Sequence, residues 1–253
     1  MNLHYQRIGE GEPLLIIHGL FGSSDNWRSM AKYFAKHYQV ISVDLRNHGR
    51  SPHSDRQDFS SMADDVIELC EKLGLSEILL LGHSLGGKVA MTMAELRPEL
   101  IKKLIVVDIS LRLYESQHTP LMNTMMSVDL QRLTTRSEVD QSLSASIKDK
   151  AVRQFLLMNL VVEDEQLSWR INLPALKANY QNMMAAVCEN CRCTMPALFV
   201  YGEQSEYVTE QDKAEIKHCF SNVQFSALDA GHWVHAERPM QFRKIVEDFL
   251  VDD

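Results

Sequence analysis

The stretch GHSLG at 82–86 combines a nucleophile with the backbone freedom needed to expose it. It matches the pattern G-x-S-x-G, with an apolar run before it and a segment of helical spacing after it. Crowding in such a sharp turn leaves no room for a side chain at either glycine. The pattern predicts that Ser84 is a nucleophile raised above a sheet, near the N–H groups of a helix N-terminus. A turn serine that only caps the helix is the alternative interpretation.

A serine hydroxyl is a weak nucleophile without a general base, and ten histidines compete for that role. His232 lies in AGHWVHAERP, after the last predicted strand and before the last predicted helix. A loop at this point can reach across the top of a parallel sheet, and a histidine that follows the serine in the chain suits such a site. We predict that His232 is the base. His83 points elsewhere on the turn, and His235 is interpreted as a helix-start residue.

The negative oxygen that forms during acyl transfer needs two N–H donors. One should be the amide of Leu85, directly after the nucleophile. The other should come from HGLFGSSDNW, most simply from the amide of Leu20, with Phe21 as the alternative donor. Phe21 and Trp233 are predicted to line the substrate site, and ordinary core aromatics are the competing interpretation of both.

The elements that must position these residues are predicted from two hydrophobic patterns, one typical of strands and one typical of helices, which alternate along the chain. Short apolar runs alternate with segments of helical spacing, which is typical of a parallel sheet covered by helices on both faces. This alternation stops near residue 111 and resumes at 196. We predict one α/β domain, 1–110 and 196–253, interrupted by a helical cap over 111–195. Candidate cap helices lie near 115–127, 136–146, 149–159 and 173–187, and FLLMNLVV is ambiguous between a strand and a helix.

Composition excludes several classes of protein. The chain has 253 residues, 45% of them hydrophobic, and a net charge of −8, which disfavours disorder and a nucleic-acid partner. The apolar runs are far shorter than the roughly 20 residues of a membrane helix. The start, MNLHYQRIGEGEP, has no long apolar stretch, so we expect no signal peptide and a cytoplasmic protein. The cysteine cluster at 188–193 supplies only three local thiols, and we expect no metal.

Several motifs together resemble the α/β-hydrolase superfamily. They are HGLFGSSDNW, DLRNHGRSPHS, GHSLGGKVAM, LIVVDIS and AGHWVHAERP. More closely, they are similar to the YbfF-type acyl esterases, which are relatives of the abhydrolase-domain-containing 11 proteins. RNHGRSP is the more specific of these motifs. The resemblance covers the whole α/β portion and implies hydrolysis of acyl esters or thioesters, a Ser–Asp–His triad and no cofactor.

The triad acid does not stand where many members of this superfamily have it. They carry it in a G-x-x-D motif after the strand that follows the cap, and here Ser205 occupies that position. Glu203 and Glu206 lie in the same loop, whereas Asp108 ends the strand LIVVDIS beside the nucleophile strand. A carboxylate at the end of a buried strand needs a partner, which a histidine would supply. We favour Asp108, as the resemblance also implies, although it could instead cap the first cap helix.

The sequence therefore predicts a serine esterase or thioesterase that acts on a small acyl ester or thioester. Its triad is Ser84, His232 and Asp108. Carbon–carbon bond hydrolysis, peptidase activity and cofactor-free haloperoxidase activity remain alternatives on the same fold. A non-catalytic binding protein is the rival from another class, and the intact Ser84–His232 pair argues against it. Acyl length, leaving group and oligomeric state stay open.

Overall fold

A computed structural model describes residues 1–189 and 191–251. Within these residues the strands are β1 (Tyr5–Ile8), β2 (Glu12–Ile17), β3 (Tyr38–Val43), β4 (Ile78–His83), β5 (Ile101–Val107), β6 (Leu160–Glu163), β7 (Gln166–Trp169), β8 (Ala197–Gly202) and β9 (Val223–Leu228). Seven of them form one sheet in the order β1-β3-β2-β4-β5-β8-β9. Strand β1 pairs with β3 in the antiparallel sense, and every other neighbouring pair in this sheet is parallel.

Helices lie on both faces of this sheet, and others lie in the segment between β5 and β8. They are α1 (Arg28–Phe34), α2 (Phe59–Lys72), α3 (Leu85–Leu96), α4 (Thr119–Ser127), α5 (Arg136–Ser144), α6 (Lys150–Leu157), α7 (Leu173–Ala178), α8 (Tyr180–Met184), α9 (Glu210–Cys219), α10 (Val234–Glu237) and α11 (Pro239–Val251). Alternate residues of β2 face opposite sides, because side chains along a strand point up and down in turn. Leu15 and Ile17 pack with α2 and α3, whereas Leu14 and Ile16 pack with α1 and α11.

The segment between β5 and β8 differs in two respects from the sequence prediction, and the first is that it contains a hairpin. FLLMNLVV divides between the end of α6 and the start of β6, which pairs with β7 outside the main sheet. The two turn residues, Asp164 and Glu165, both have positive φ, 48° and 64°, as a tight hairpin turn requires. The helix expected over 173–187 is instead two short helices, α7 and α8.

The carboxyl ends of the parallel strands meet at one edge of the sheet. Strand β4 lies between β2 and β5, and β8 and β9 follow β5. The loops that leave these five strands therefore face one another, which is where ligands bind in open α/β sheets. Every residue predicted to act in catalysis lies in one of these loops or at the helix N-terminus beside them.

The five cysteines are all buried and unpaired. The thiol of Cys188 donates to the carbonyl of Met91 at 3.0 Å, and that of Cys219 to the carbonyl of Cys188 at 3.2 Å. In the part of the chain that the structure describes, no cluster of three or more histidine, cysteine or acidic side chains is arranged to hold a metal ion. None of the helices within the same part is long and apolar enough to cross a membrane.

Candidate active site

Ser84 occupies a strained turn between β4 and α3. Its φ is 52° and its ψ −119°, and its amide donates to the carbonyl of Val107 at 2.9 Å. The predicted crowding at the two glycines is confirmed. A Cβ on Gly82 would come within 2.2 Å of the carbonyl oxygen of Gly86, and one on Gly86 within 2.5 Å of the carbonyl oxygen of Ile17. Only glycine fits both positions, so the turn keeps the serine side chain above the sheet.

The carboxylate of Asp108 follows β5 and contacts the imidazole that follows β9. Nδ1 of His232 lies 2.7 Å from Oδ2 of Asp108. The same oxygen accepts from the hydroxyl of Ser205 at 2.6 Å, and Oδ1 accepts from the amide of Gly202 at 2.9 Å. Asp108 is 1% exposed, and three donors satisfy it. The imidazole therefore presents its other nitrogen, Nε2, away from the carboxylate.

The competing carboxylates lie elsewhere. Glu203 and Glu206 are exposed. No hydrogen bond among residues 1–189 and 191–251 joins either carboxylate to His232. The side chain at the position where an aspartate was expected, Ser205, instead donates to Asp108. An aspartate there would bring a second negative charge against Asp108, which costs free energy.

Two contacts that the sequence did not predict hold His232, one at its imidazole and one at its main chain. The ring of Tyr207 stacks on it, with centroids 4.3 Å apart and planes inclined by 26°. His83 donates from Nε2 to the main-chain carbonyl of His232 at 3.0 Å. Tyr207 lies two residues after Ser205, in the loop that follows β8. Its nearness in the chain to the expected position of the triad acid is the only feature of the sequence that points to it.

The amides predicted to bind the oxyanion have no competing protein acceptor. Leu85 is the first residue of α3, so its N–H has no partner within the helix. In the described residues, no hydrogen bond takes the N–H of Leu20 or Phe21 as its donor. Phe21 has a φ of 60°, and its carbonyl accepts from Nδ2 of Asn159 at 2.8 Å. The loop after β2 is thereby fixed with its amides available to a ligand.

Two cavities meet at Ser84. The first has a volume of about 450 Å³ and the second about 480 Å³. Both are lined by Leu20, Ser84, His118, Tyr207 and His232. The first is otherwise mainly apolar, and its walls include Phe21, Trp27, Leu121, Val152, Phe155 and Trp233. The second carries more polar groups, including Lys88, Arg112, Glu115, Gln117, Gln204 and Glu206. Phe21 and Trp233 thus line the first cavity.

Comparison with known proteins decides the family. The model of the α/β-hydrolase fold family matches residues 12–239. The chain belongs to the α/β-hydrolase family. It is 36% identical over 253 residues to the sn-1-specific diacylglycerol lipase ABHD11 of Danio rerio, covering 96% of this chain and 79% of that one. It is 30% identical over 243 residues to the esterase YbfF of Escherichia coli, covering 95% and 93% of the two chains.

A solved structure agrees with these relatives. A marine microorganism esterase superposes on this hydrolase with a TM-score of 0.95, at 37% identity, over 98% of each chain. The predicted fold and the predicted resemblance to YbfF-type and abhydrolase-domain-containing 11 proteins are therefore confirmed. The chain is a hydrolase of the esterase and lipase type.

We expect the buried imidazoles to make this hydrolase less stable in acid. Burial lowers the pKa of His48 and of His235 from 6.5 to about 3, and it also lowers the pKa of His18 and of His83. Below pH 6.5 the unfolded chain binds a proton at His48 and at His235, and the folded chain does not until the pH nears 3. Stability is therefore complete above that pH and is lost as the pH falls toward 3. Over this range His48 and His235 should each lower the free energy of unfolding by about 1.4 kcal/mol for every pH unit of acidification.

We expect urea unfolding from about pH 7.5 to about pH 4.5 to show this steep loss of stability. The ring of His235 stacks on that of Trp27 with centroids 4.3 Å apart, and its Nδ1 is buried with no hydrogen-bond partner among the described residues. His235→Phe should therefore reduce the slope by about 1.4 kcal/mol per pH unit. The matched control is the exposed His37, whose replacement by glutamine should leave the slope at its wild-type value. Equal slopes for wild type and His235→Phe would contradict the assignment.

Proposed function

We propose that this protein is a serine esterase or thioesterase that works through an acyl-enzyme on Ser84. The observation that carries the proposal is the contact between Asp108 and His232 beneath two cavities that both reach Ser84. Asp108 holds the proton on Nδ1 of His232, so Nε2 is free to accept one. The Ser84 hydroxyl then attacks the acyl carbonyl while Nε2 takes its proton.

The first half of the reaction transfers the acyl group from the substrate ester or thioester to the hydroxyl of Ser84. A bond forms between Oγ of Ser84 and the acyl carbon, and the negative charge moves to the carbonyl oxygen. The amides of Leu20 and Leu85 stabilise that oxygen. As the bond to the leaving group breaks, the imidazolium of His232 returns its proton to the departing alcohol or thiol. Asp108 stabilises the imidazolium throughout.

The second half releases the acid. A water molecule enters where the leaving group stood, and His232 accepts its proton as it attacks the acyl carbon. A second oxyanion forms and collapses, the bond to Ser84 breaks, and the proton returns to the serine. The net reaction consumes one water and produces a carboxylic acid and an alcohol or thiol.

We also propose that residues 111–195 are a cap that selects the substrate, because α4 and α6 supply walls of the first cavity. Two buried side chains, Lys88 and Asn159, are among those that fasten this segment to the core. The buried Lys88 of α3 donates to the carbonyl of Arg112 at 2.6 Å and also to that of Ala185, near the two ends of the segment. Asn159 donates to the carbonyl of Phe21 at 2.8 Å. Variation in such segments changes function while the fold persists.

The acyl chain should occupy the first cavity, because its walls are mainly apolar, and the leaving group the second. Phe155 of α6 lies in the first cavity, with its ring 5.5 Å from that of Trp233. Phe155→Trp should narrow this space. Overfilling a packed site costs about 1–3 kcal/mol, so kcat/KM for the longest accepted acyl chains should fall roughly 5- to 150-fold. The shortest chains should be unaffected.

The measurement is kcat/KM for a panel of acyl p-nitrophenyl esters and acyl-CoA thioesters in which chain length is varied. Met184→Ala is the matched control, because this side chain lines the second cavity. With one leaving group throughout, its acyl-length profile should follow that of the wild type. If Met184→Ala changes the profile and Phe155→Trp does not, the two cavities have been assigned the wrong way round. If wild type hydrolyses no member of the panel, the proposed function fails.

A further inference from the structure

His118 lies where the two cavities meet, and the proposed catalytic steps do not use it. It is the residue before α4 and lines both cavities beside Ser84 and His232. The ring of Phe21 contacts it edge-on, with centroids 6.2 Å apart and planes at 73°. Its ring is therefore held from one side by a residue of the loop after β2.

A tyrosine holds His118 from the other side. The backbone N–H of His118 donates to the hydroxyl oxygen of Tyr180 at 2.9 Å, and that same oxygen lies 2.7 Å from Nδ1 of the imidazole. Tyr180 is 3% exposed, so its hydroxyl hydrogen needs an acceptor. In the described parts of the chain, Nδ1 is the acceptor within reach. The hydroxyl therefore donates to Nδ1, which must be unprotonated.

This contact determines whether Nε2 of His118 is protonated. A neutral imidazole carries one proton, so it must sit on Nε2. Burial, with the nearby His232 adding to it, lowers the pKa of His118 to about 4, so the ring is neutral at neutral pH. Nε2 has no hydrogen-bond partner within residues 1–189 and 191–251, but it is not fully buried. It is thus open to the cavities as a neutral N–H donor.

We propose that Nε2–H of His118 binds a neutral oxygen acceptor in the leaving group of the substrate, such as an ether, hydroxyl or second ester oxygen. This inference rests on the proposed function and names its preferred substrate class as esters of oxygen-bearing alcohols. A neutral donor satisfies such an oxygen and supplies no charge to offset a buried carboxylate or phosphate. His118 is then a specificity-determining residue.

The test compares two butyrate esters with leaving groups of equal size, 2-methoxyethanol and 1-butanol. One oxygen replaces one CH₂ between them. The ratio of their kcat/KM values is divided by the ratio of their alkaline hydrolysis rates, which removes intrinsic reactivity. Wild type should favour the methoxyethyl ester roughly 5- to 10-fold, the discrimination of one neutral hydrogen bond. His118→Phe keeps an aromatic ring, loses the donor and should reduce the ratio to about one.

A second variant tests the tautomer. Tyr180→Phe removes the hydroxyl that holds Nδ1 unprotonated, so the preference should weaken. Tyr33→Phe removes a hydroxyl bonded to Glu247 at the surface, and it should keep the wild-type ratio. Nitrogen-15 NMR of the wild type should show Nδ1 of His118 unprotonated and Nε2 protonated, and this measurement does not depend on turnover.

Failure of this inference is distinguishable from failure of the proposed function. If wild type hydrolyses both esters through Ser84 and shows no preference, or if His118→Phe keeps the preference, the inference is overturned and the esterase proposal stands. A protonated Nδ1 in the NMR spectrum also overturns it. If neither ester is hydrolysed, and the wider panel gives no turnover, the proposed function has failed.

Discussion

Ser84→Ala should lower kcat by about 10⁶-fold, the loss seen when the nucleophile of a serine hydrolase is removed. Alanine keeps the Cβ that serine already carries at a φ of 52°, so the substitution adds no backbone strain. The side-chain oxygen is lost, and no acyl-enzyme can form. The amides around the oxyanion remain, so any residual rate should reflect their contribution alone.

Steady-state hydrolysis of a p-nitrophenyl ester measures this effect. Ser60→Ala is the matched control, because Ser60 is an exposed serine on α2. Thermal unfolding of both variants should match the wild type, which separates lost chemistry from lost folding. Activity of Ser84→Ala near the wild-type value would contradict the whole mechanism.

Asp108→Asn should lower kcat by about 10³- to 10⁴-fold, or roughly 4–5.5 kcal/mol of barrier. Oδ2 of Asp108 accepts from both His232 and Ser205. An asparagine amide turned toward Nδ1 of His232 would donate where the carboxylate accepts. The imidazole would then carry its proton on Nε2, which is the wrong nitrogen for accepting one from Ser84. KM should change little, because Asp108 does not line either cavity.

The controls for Asp108 come from the loop after β8. Glu203→Gln and Glu206→Gln should each cost about tenfold or less, because both carboxylates are exposed and neither forms a hydrogen bond with the imidazole in the described residues. Asp108→Asn combined with Ser205→Asp should recover part of the activity, because the Ser205 hydroxyl lies 2.6 Å from Oδ2 of Asp108. If Glu206→Gln loses most of its kcat and Asp108→Asn keeps nearly all of it, the triad acid has been assigned wrongly.

The central sheet could be predicted from the sequence because its strands are continuous apolar runs. Strand β4 is buried at every position, and such runs carry a strong local signal. Strand β1 went unpredicted because it lies at the edge of the sheet and has no buried residue. The hairpin of β6 and β7 went unpredicted for the same reason, since its strands are only partly buried. Exposed pairs of short strands leave little hydrophobic pattern.

The site could be predicted only as far as chain order and residue chemistry allow. Ser84, Asp108 and His232 each follow a recognisable strand, and the topology brings those strand ends to one edge. The parts played by Ser205, Tyr207 and His118 could not be predicted, because they depend on side-chain contacts between segments far apart in the chain. Ser205 and Asp108 are separated by 97 residues, and no local pattern records their hydrogen bond.

Covalent labelling with a fluorophosphonate tests the central claim most directly. The reagent mimics the acyl carbonyl and leaves a stable adduct on an activated serine. Intact-mass measurement of the wild type should show one adduct, and peptide mapping should place it on Ser84. Ser84→Ala should show none, and Asp108→Asn should label much more slowly than Glu203→Gln. Labelling of Ser84→Ala at the wild-type rate, or an adduct mapped to another residue, would contradict the account.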